Sequence, residues 1–316
     1  MRLDVIIPTY NRHEMLARTL RSMLRADVPP GLDVTITTVD NNSTDATKQT
    51  VEEYVPRFSG RLRYVVERQR GRSHALNAGI RNSDADLIGM IDDDEEIDAQ
   101  WFACVFSSFS DPTLDFIGGP YLPRWGAQPP PWLPPEYPGV IGWVNGGDRI
   151  QPYDESYSGI LMGGNAVLRR SVLQNVGPYS TALGRTDKHL LTAEDEQMYR
   201  RLRASGARGL YIPALVIYHY VPPARLTKRY YRRWCFWRGV SLSVLEKDEP
   251  SDVPHLLGVP RWLFGRAVRG LMTAARQPFL RRWDPSVAFS AELTVCDLAG
   301  RLYGRHVYQR RALQSS

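Results

Sequence analysis

From Leu3 to Ile91 the chain alternates short apolar runs with helical patterns, and that rhythm restricts it to a largely parallel sheet joined by crossover helices. Strand patterns run over Leu3–Ile7, Val34–Val39, Leu62–Val66 and Leu87–Ile91. Between them lie a helix through Leu16, Leu20 and Leu24, a second over Thr44–Tyr54 and a third near Ser73–Ile80. The last of these strands runs directly into Asp92–Glu96, so the sheet ends at carboxylates.

Beyond this core the pattern changes. Pro, Gly and Trp crowd between Gly118 and Gly142, most densely over Gln128–Pro135, and exclude a helix or central strand there; an ordered surface loop is expected. A strand-like stretch at Ser158–Met162, a Gly163-Gly164-Asn165 turn, a helix over Glu194–Ala204 and β-rich pieces around Tyr211 and Val216–His219 follow. Past Pro222 the sequence reads as helical, basic and aromatic. The expected division is therefore an α/β domain over 1–222 and a helical extension over 223–316.

Charge follows the same division. From Tyr220 to Ser316 there are 17 basic against 7 acidic residues, net +10, while the rest carries 23 against 27, net −4. Such a basic segment suits phosphates, an anionic lipid surface, nucleic acid or simple solvation. Leu256–Ala275 mixes Trp262, Leu263, Phe264, Val268 and Leu271 with Arg261, Arg266 and Arg269. Interfacial helices show this mixture, and so do amphipathic helices packed on a core. No apolar run reaches the ~18 to 20 residues that span a bilayer. Cys104, Cys235 and Cys296 are odd in number and widely spaced, which argues against a disulfide framework and for a reducing compartment. A cytoplasmic protein, peripheral on the inner face of the membrane if it is membrane-bound at all, is the expectation.

Four groups of polar residues fall at the carboxyl ends of the expected strands, where open α/β sheets place their ligands. Pro8-Thr9-Tyr10-Asn11-Arg12 offers hydroxyl, aromatic, amide and guanidinium groups. Asp40 in Asp40-Asn41-Asn42-Ser43 can accept from a base N–H or a ribose hydroxyl, although these letters also cap helices. Asp92-Asp93-Asp94 concentrates like charges that a hard divalent cation, Mg²⁺ or Mn²⁺, would relieve. Glu194-Asp195-Glu196 opens a helix, where acidic residues suit the dipole and where one carboxylate could take a proton from an attacking hydroxyl.

Taken together, Val-Ile-Ile-Pro-Thr-Tyr-Asn-Arg over residues 5–12, the Asp40 turn, Gly71 followed by Ala75, Asn77 and Gly79, the Asp92–Asp94 triplet, Gly163-Gly164-Asn165 and Glu194-Asp195 resemble the inverting GT-A glycosyltransferases of family 2, over roughly residues 1–240. The resemblance implies a Rossmann-like GT-A fold and transfer of one sugar from a nucleotide-sugar donor to a saccharide or lipid-linked acceptor hydroxyl, in polysaccharide or glycolipid assembly. UDP is the commonest donor nucleotide in such enzymes. It implies a catalytic domain over 1–222, with nucleotide-sugar binding in about 1–117 and the acceptor side in about 118–222. It also implies that Pro8, Thr9 and Asp40 hold the nucleoside, with Tyr10, Arg12, Asn42 and Asn77 also expected among the donor-binding residues. Arg72, His74, Asp92, Asp93, Gly164, Asn165 and Arg225 are expected near ribose or diphosphate, Asp94 with Asp92 and His219 at the metal, and Asp195 as the base. His219, between two tyrosines, equally suits a structural role. Arg232-Arg233-Trp234 resembles part of the Gln-x-x-Arg-Trp motif of processive synthases, but Tyr230 stands in place of its glutamine, which favours single transfer.

Other classes fit less well. A dinucleotide oxidoreductase requires Gly-x-Gly-x-x-Gly after the first strand, where this chain has Pro-Thr-Tyr-Asn-Arg. A non-catalytic nucleotide-sugar scaffold would be expected to have lost acidic residues that are all present here. No nucleic-acid-binding motif is recognisable, so nucleic acid is not an expected partner.

Overall fold

The structure is a computed structural model that describes residues 1–184, 190–247, 252–279 and 283–309. The chain forms two compact units. The first comprises 1–124, 143–182 and 194–220, and the second 125–142, 183–193 and 221–316.

In the first unit the elements follow in the order β1 (Arg2–Thr9), α1 (His13–Arg25), β2 (Asp33–Asp40), α2 (Thr47–Tyr54), β3 (Leu62–Val66), α3 (Arg72–Arg81), β4 (Leu87–Ile91), β5 (Glu95–Ile97), α4 (Trp101–Ser108), β6 (Phe116–Gly118) and β7 (Tyr121–Trp125). After the excursion into the second unit come β8 (Gln151–Pro152), β9 (Asn165–Arg169), α5 (Arg170–Val176), α6 (Glu194–Ala204), β10 (Gly209–Tyr211) and β11 (Ile217–Val221).

The main sheet has the order β3-β2-β1-β4-β9-β6-β10-β8. β1, β2, β3 and β4 are mutually parallel, and β9 enters antiparallel between β4 and β6. Strand alternation sends Leu3, Val5 and Ile7 of β1 to one face, where they meet Leu16 and Leu20 of α1 and Trp101 and Val105 of α4. Ile6, Ile88 and Met90 face the other way, against Leu76 of α3, Val172 of α5 and Leu202 of α6. The outcome is a three-layer α/β unit with both sheet faces covered, as parallel strands require. A second sheet, β5-β11-β7, sets His219 opposite Glu95.

The second unit is built on α7 (Lys228–Leu245), the hairpin β12 (His255–Leu256) and β13 (Val259–Pro260), α8 (Trp262–Arg276) and α9 (Pro285–Tyr303). Thr227 caps α7 by accepting from the Tyr230 N–H, and Asp284 caps α9. Their core joins Tyr231 and Cys235 of α7 to Phe289 and Leu293 of α9.

Two expectations are corrected. Ser158–Met162 forms no strand. Leu161 is buried on the sheet, but the ladder begins at Asn165, opposite Ile91, inside the segment read as a turn. The Pro/Trp-rich stretch is not merely a surface loop either. Val140 and Ile141 are buried in the helical core, and Trp132 packs edge-on against Tyr231 and Phe289.

Candidate functional site

Parallel pairing brings the ends of β1 and β2 level, with Thr9 opposite Asp40. The loops beyond them are fastened together by asparagines. Asn11, at φ +51°, accepts from the Thr44 N–H at 2.7 Å, and its own N–H donates to Ser43 Oγ at 3.0 Å. The Asn41 amide donates to the Glu67 and Gln69 carbonyls and accepts from the Gly71 N–H at 2.7 Å, which fixes the start of α3. Asp40 is buried and accepts from the Ser43 N–H at 2.8 Å and from the Tyr64 hydroxyl at 2.5 Å. Burial, followed by the bond to Asp40, raises the Tyr64 phenol above its ordinary value. Each Asp40 oxygen still has a lone pair for a further donor.

The acidic triplet after β4 divides into three environments. Asp93 is buried and held on all sides: Thr9 Oγ1 donates at 2.9 Å, Arg12 Nη1 at 2.9 Å, and its own carbonyl accepts from Thr19 Oγ1. Burial pushes its carboxyl up to about 6, against the pull of Arg12. Asp94 takes a second bond from Arg12 at 3.1 Å and stands 3.7 Å from His219 Nε2, with the Asp94 carbonyl accepting from the Tyr220 N–H. Asp92 is more open and accepts from Arg72 Nε at 2.9 Å.

Arg72 connects this group to α6. Its Nη1 lies 3.2 Å from Asp195 Oδ1 and 3.5 Å from Glu194 Oε1. Burial works against its charge, yet Asp92, Asp195 and Glu194 together keep it well above its ordinary pKa. Asp195 also rests on the backbone of Gly163: a Cβ there would lie 2.2 Å from Asp195 Oδ1. At Gly164 a Cβ would lie 2.5 Å from Glu95 Oε1. The two adjacent glycines therefore let two carboxylates approach the main chain more closely than any side chain would permit. Glu95, part of the acidic run that follows β4, is buried, accepts from the Asp92 N–H at 2.7 Å and is pushed upward by burial and by Asp92 and Asp94. Nothing local in the sequence signals this, because its partner glycine is remote along the chain.

Several expected site residues have other work. Asn77 does not point to a ligand: its amide donates to the Tyr179 carbonyl and accepts from the Tyr179 N–H, both at 2.8 Å. Asn165 is fully buried, accepting from Trp101 Nε1 and donating to the Leu215 and Pro120 carbonyls. Pro8 is buried inside β1, and exposed Asn42, at φ +67°, makes the turn after β2. Tyr10 lies under Arg70, 3.7 Å from the ring centroid, and His74 is half-buried on the first turn of α3. Arg225 is buried in the second unit.

Among the described residues no three His, Cys, Asp or Glu side chains form a self-sufficient metal cage. Asp94 and His219 nevertheless supply a hard carboxylate and an imidazole side by side, with Asp92 on the same loop. Mg²⁺-type ions commonly take only one or two carboxylates and complete their shell with substrate phosphates and water, so the donor set fits a cation shared with a diphosphate.

The sequence profile described as Glycosyl transferase family 2 matches residues 4–177. The glucosyl-dolichyl phosphate glucuronosyltransferase of Haloferax volcanii is 25% identical over 257 residues, covering 79% of this chain and 79% of that protein. The succinoglycan biosynthesis protein ExoM of Rhizobium meliloti is 24% identical over 241 residues, covering 73% and 72%. In three dimensions the fold is similar to the mannosyltransferase PcManGT of Pyrobaculum calidifontis, solved with GDP-Man and Mn²⁺. The TM-score is 0.63 at 19% identity, over 96% of this chain and 86% of that one.

Proposed function

The chain belongs to glycosyl transferase family 2, with the GT-A fold of such enzymes, and from that premise we propose that it is an inverting transferase using a divalent cation and Asp195 as base. The donor is a nucleoside-diphosphate sugar. A UDP-sugar is the first candidate, and GDP-mannose, bound by the structural neighbour, is the second. A lipid-linked or polysaccharide acceptor is suggested by relatives named for a dolichyl phosphate substrate and for succinoglycan synthesis, and a lipid-linked acceptor would bring the protein to the inner face of a membrane.

The observation that carries this reading is the single guanidinium of Arg72, bonded to Asp92 and paired with Asp195. It links a donor-side carboxylate to the candidate base and fixes its direction. Asp195 would then take the proton of the acceptor hydroxyl as that oxygen attacks the anomeric carbon from the face opposite the departing diphosphate, so that an α-linked donor gives a β-linked product. Asp94 and His219 would hold Mn²⁺ or Mg²⁺, with Asp92 on the same loop, and the ion would neutralise charge developing on the leaving nucleoside diphosphate. Arg12 and Thr9 keep Asp93 in place behind Asp94.

Calorimetry of UDP and GDP binding with and without Mn²⁺ tests the reading. Asp94→Ala is expected to abolish the Mn²⁺-dependent part of the affinity and leave a weak metal-independent remainder. A metal-dependent increment of wild-type size in the variant would remove Asp94 from the cation site.

A further inference from the structure

The second unit exposes apolar surface of a kind that water does not favour. Of the fifteen large hydrophobic side chains exposed among the described residues, nine fall between Val253 and Trp283. α8 buries Leu263, Ala267 and Gly270 against its own unit. At 100° per residue, Val268 and Met272 therefore point away from that side and Leu271 lies on the flank, and the three are 56%, 48% and 53% exposed respectively. A surface helix ordinarily carries polar groups there. Trp262, the first residue of the helix, is 51% exposed, and past its C-terminal end Phe279 and Trp283 are 88% and 62% exposed.

The charge along this segment has one sign. From Val253 to Trp283 the sequence has six arginines and no acidic residue. Arg261, Arg269 and Arg276 are exposed, whereas Arg266 turns inward toward the Tyr137 hydroxyl at 3.3 Å and Asp297 at 4.0 Å, and so drops out of the outer set. A second copy of the chain is a poor occupant, because a self-complementary interface would bring arginines against arginines. No helix among the described residues is long and apolar enough to cross a membrane.

We propose that the outer face of α8, with Phe279 and Trp283, lies on an anionic lipid bilayer. The apolar row enters the boundary between headgroups and acyl chains, the tryptophans settle at headgroup level, and Arg261, Arg269 and Arg276 meet lipid phosphates. This inference is independent of the transferase chemistry.

The test uses the full chain and sedimentation with vesicles of phosphatidylglycerol and phosphatidylcholine, or of phosphatidylcholine alone. The wild type should partition onto the anionic vesicles and be released by salt. Arg261→Glu/Arg269→Glu/Arg276→Glu should lower that partitioning by roughly a hundredfold. Val268→Ser/Leu271→Ser/Phe279→Ser should lower it with every charge intact. Because these side chains are exposed, circular dichroism should be unchanged in both variants. As a second reading, brominated acyl chains should quench part of the wild-type tryptophan emission, and Trp262→Phe/Trp283→Phe should remove that part. Equal partitioning of wild type and both variants, absence of wild-type partitioning, or equal binding to neutral vesicles would overturn the proposal. So would a dimer in sedimentation velocity that the serine variant alone dissociates, which would assign the face to a second copy.

Discussion

Around Asp195 the three consecutive acids of α6 have unlike surroundings, and this gives the base assignment its sharpest test. Glu196 pairs with Arg200 at 2.6 Å one turn along the helix, and Glu194 is buried. Asp195 alone combines the Arg72 contact with close approach to Gly163. Asp195→Asn is expected to lower turnover by ~10² to 10⁴ while leaving donor affinity within a few-fold, the loss typical of removing a general base. Glu196→Gln should stay close to wild type. Steady-state rates with calorimetric donor affinities decide it: a fully active Asp195→Asn would move the base elsewhere. The acids and the Gly163-Gly164 pair were legible in the sequence as letters at strand ends. Their pairing, Asp195 over Gly163 and Glu95 over Gly164, was not, since close approach across the fold leaves no trace in local spacing.

Elements show a comparable limit. β1 to β4 and their helices were readable because period-2 and period-3.6 patterns are local, whereas β9 was hidden by the glycines that open it and took its place from its neighbours β4 and β6. Asn77 and Asn165 illustrate the same point, because a buried amide bonding to backbone groups looks, in sequence, like a ligand-binding amide. Asn77→Ala is expected to strand both polar groups of the Tyr179 main chain and to cost about 2 to 5 kcal/mol in urea unfolding, with donor affinity per folded molecule unchanged. Within β1, Asp4 is buried beside the Thr37 hydroxyl, and burial raises its pKa. A carboxyl raised in the folded state binds its proton more tightly there than in the unfolded chain. Its contribution to stability is thus full below the ordinary value of 3.8 and is lost as pH rises through the raised pKa. Asp4→Asn should therefore be more stable than wild type at neutral pH, with the advantage gone below that value. Urea midpoints at the two pH values check it, and an advantage independent of pH would trace the effect to packing instead.

At the scale of the whole chain, the change in charge and composition near residue 222 suggests a cut into a catalytic domain and an extension, and the structure makes that cut costly. The second unit takes in 125–142 and 183–193 as well as the segment from Val221 onward. Trp132, Val140 and Ile141 are part of the core completed by Tyr231, Cys235, Phe289 and Leu293. Composition could not reveal this, because Pro and Trp density describes local backbone options and not what a loop is buried against. Ending the chain after Pro222 would leave those three side chains without their partners, forfeiting about 1.5 to 3 kcal/mol for each and exposing an adhesive apolar surface. The truncated protein is therefore expected to aggregate, or to bind a hydrophobic dye strongly and melt well below the full chain. Serine at Trp132, Val140 and Ile141 in the truncated chain should restore much of its solubility, since those side chains are the source of the exposed patch. Dye binding and light scattering of the two truncated forms give the answer. A soluble, dye-silent 1–222 fragment with full donor affinity would show that the first unit has no need of the helical core.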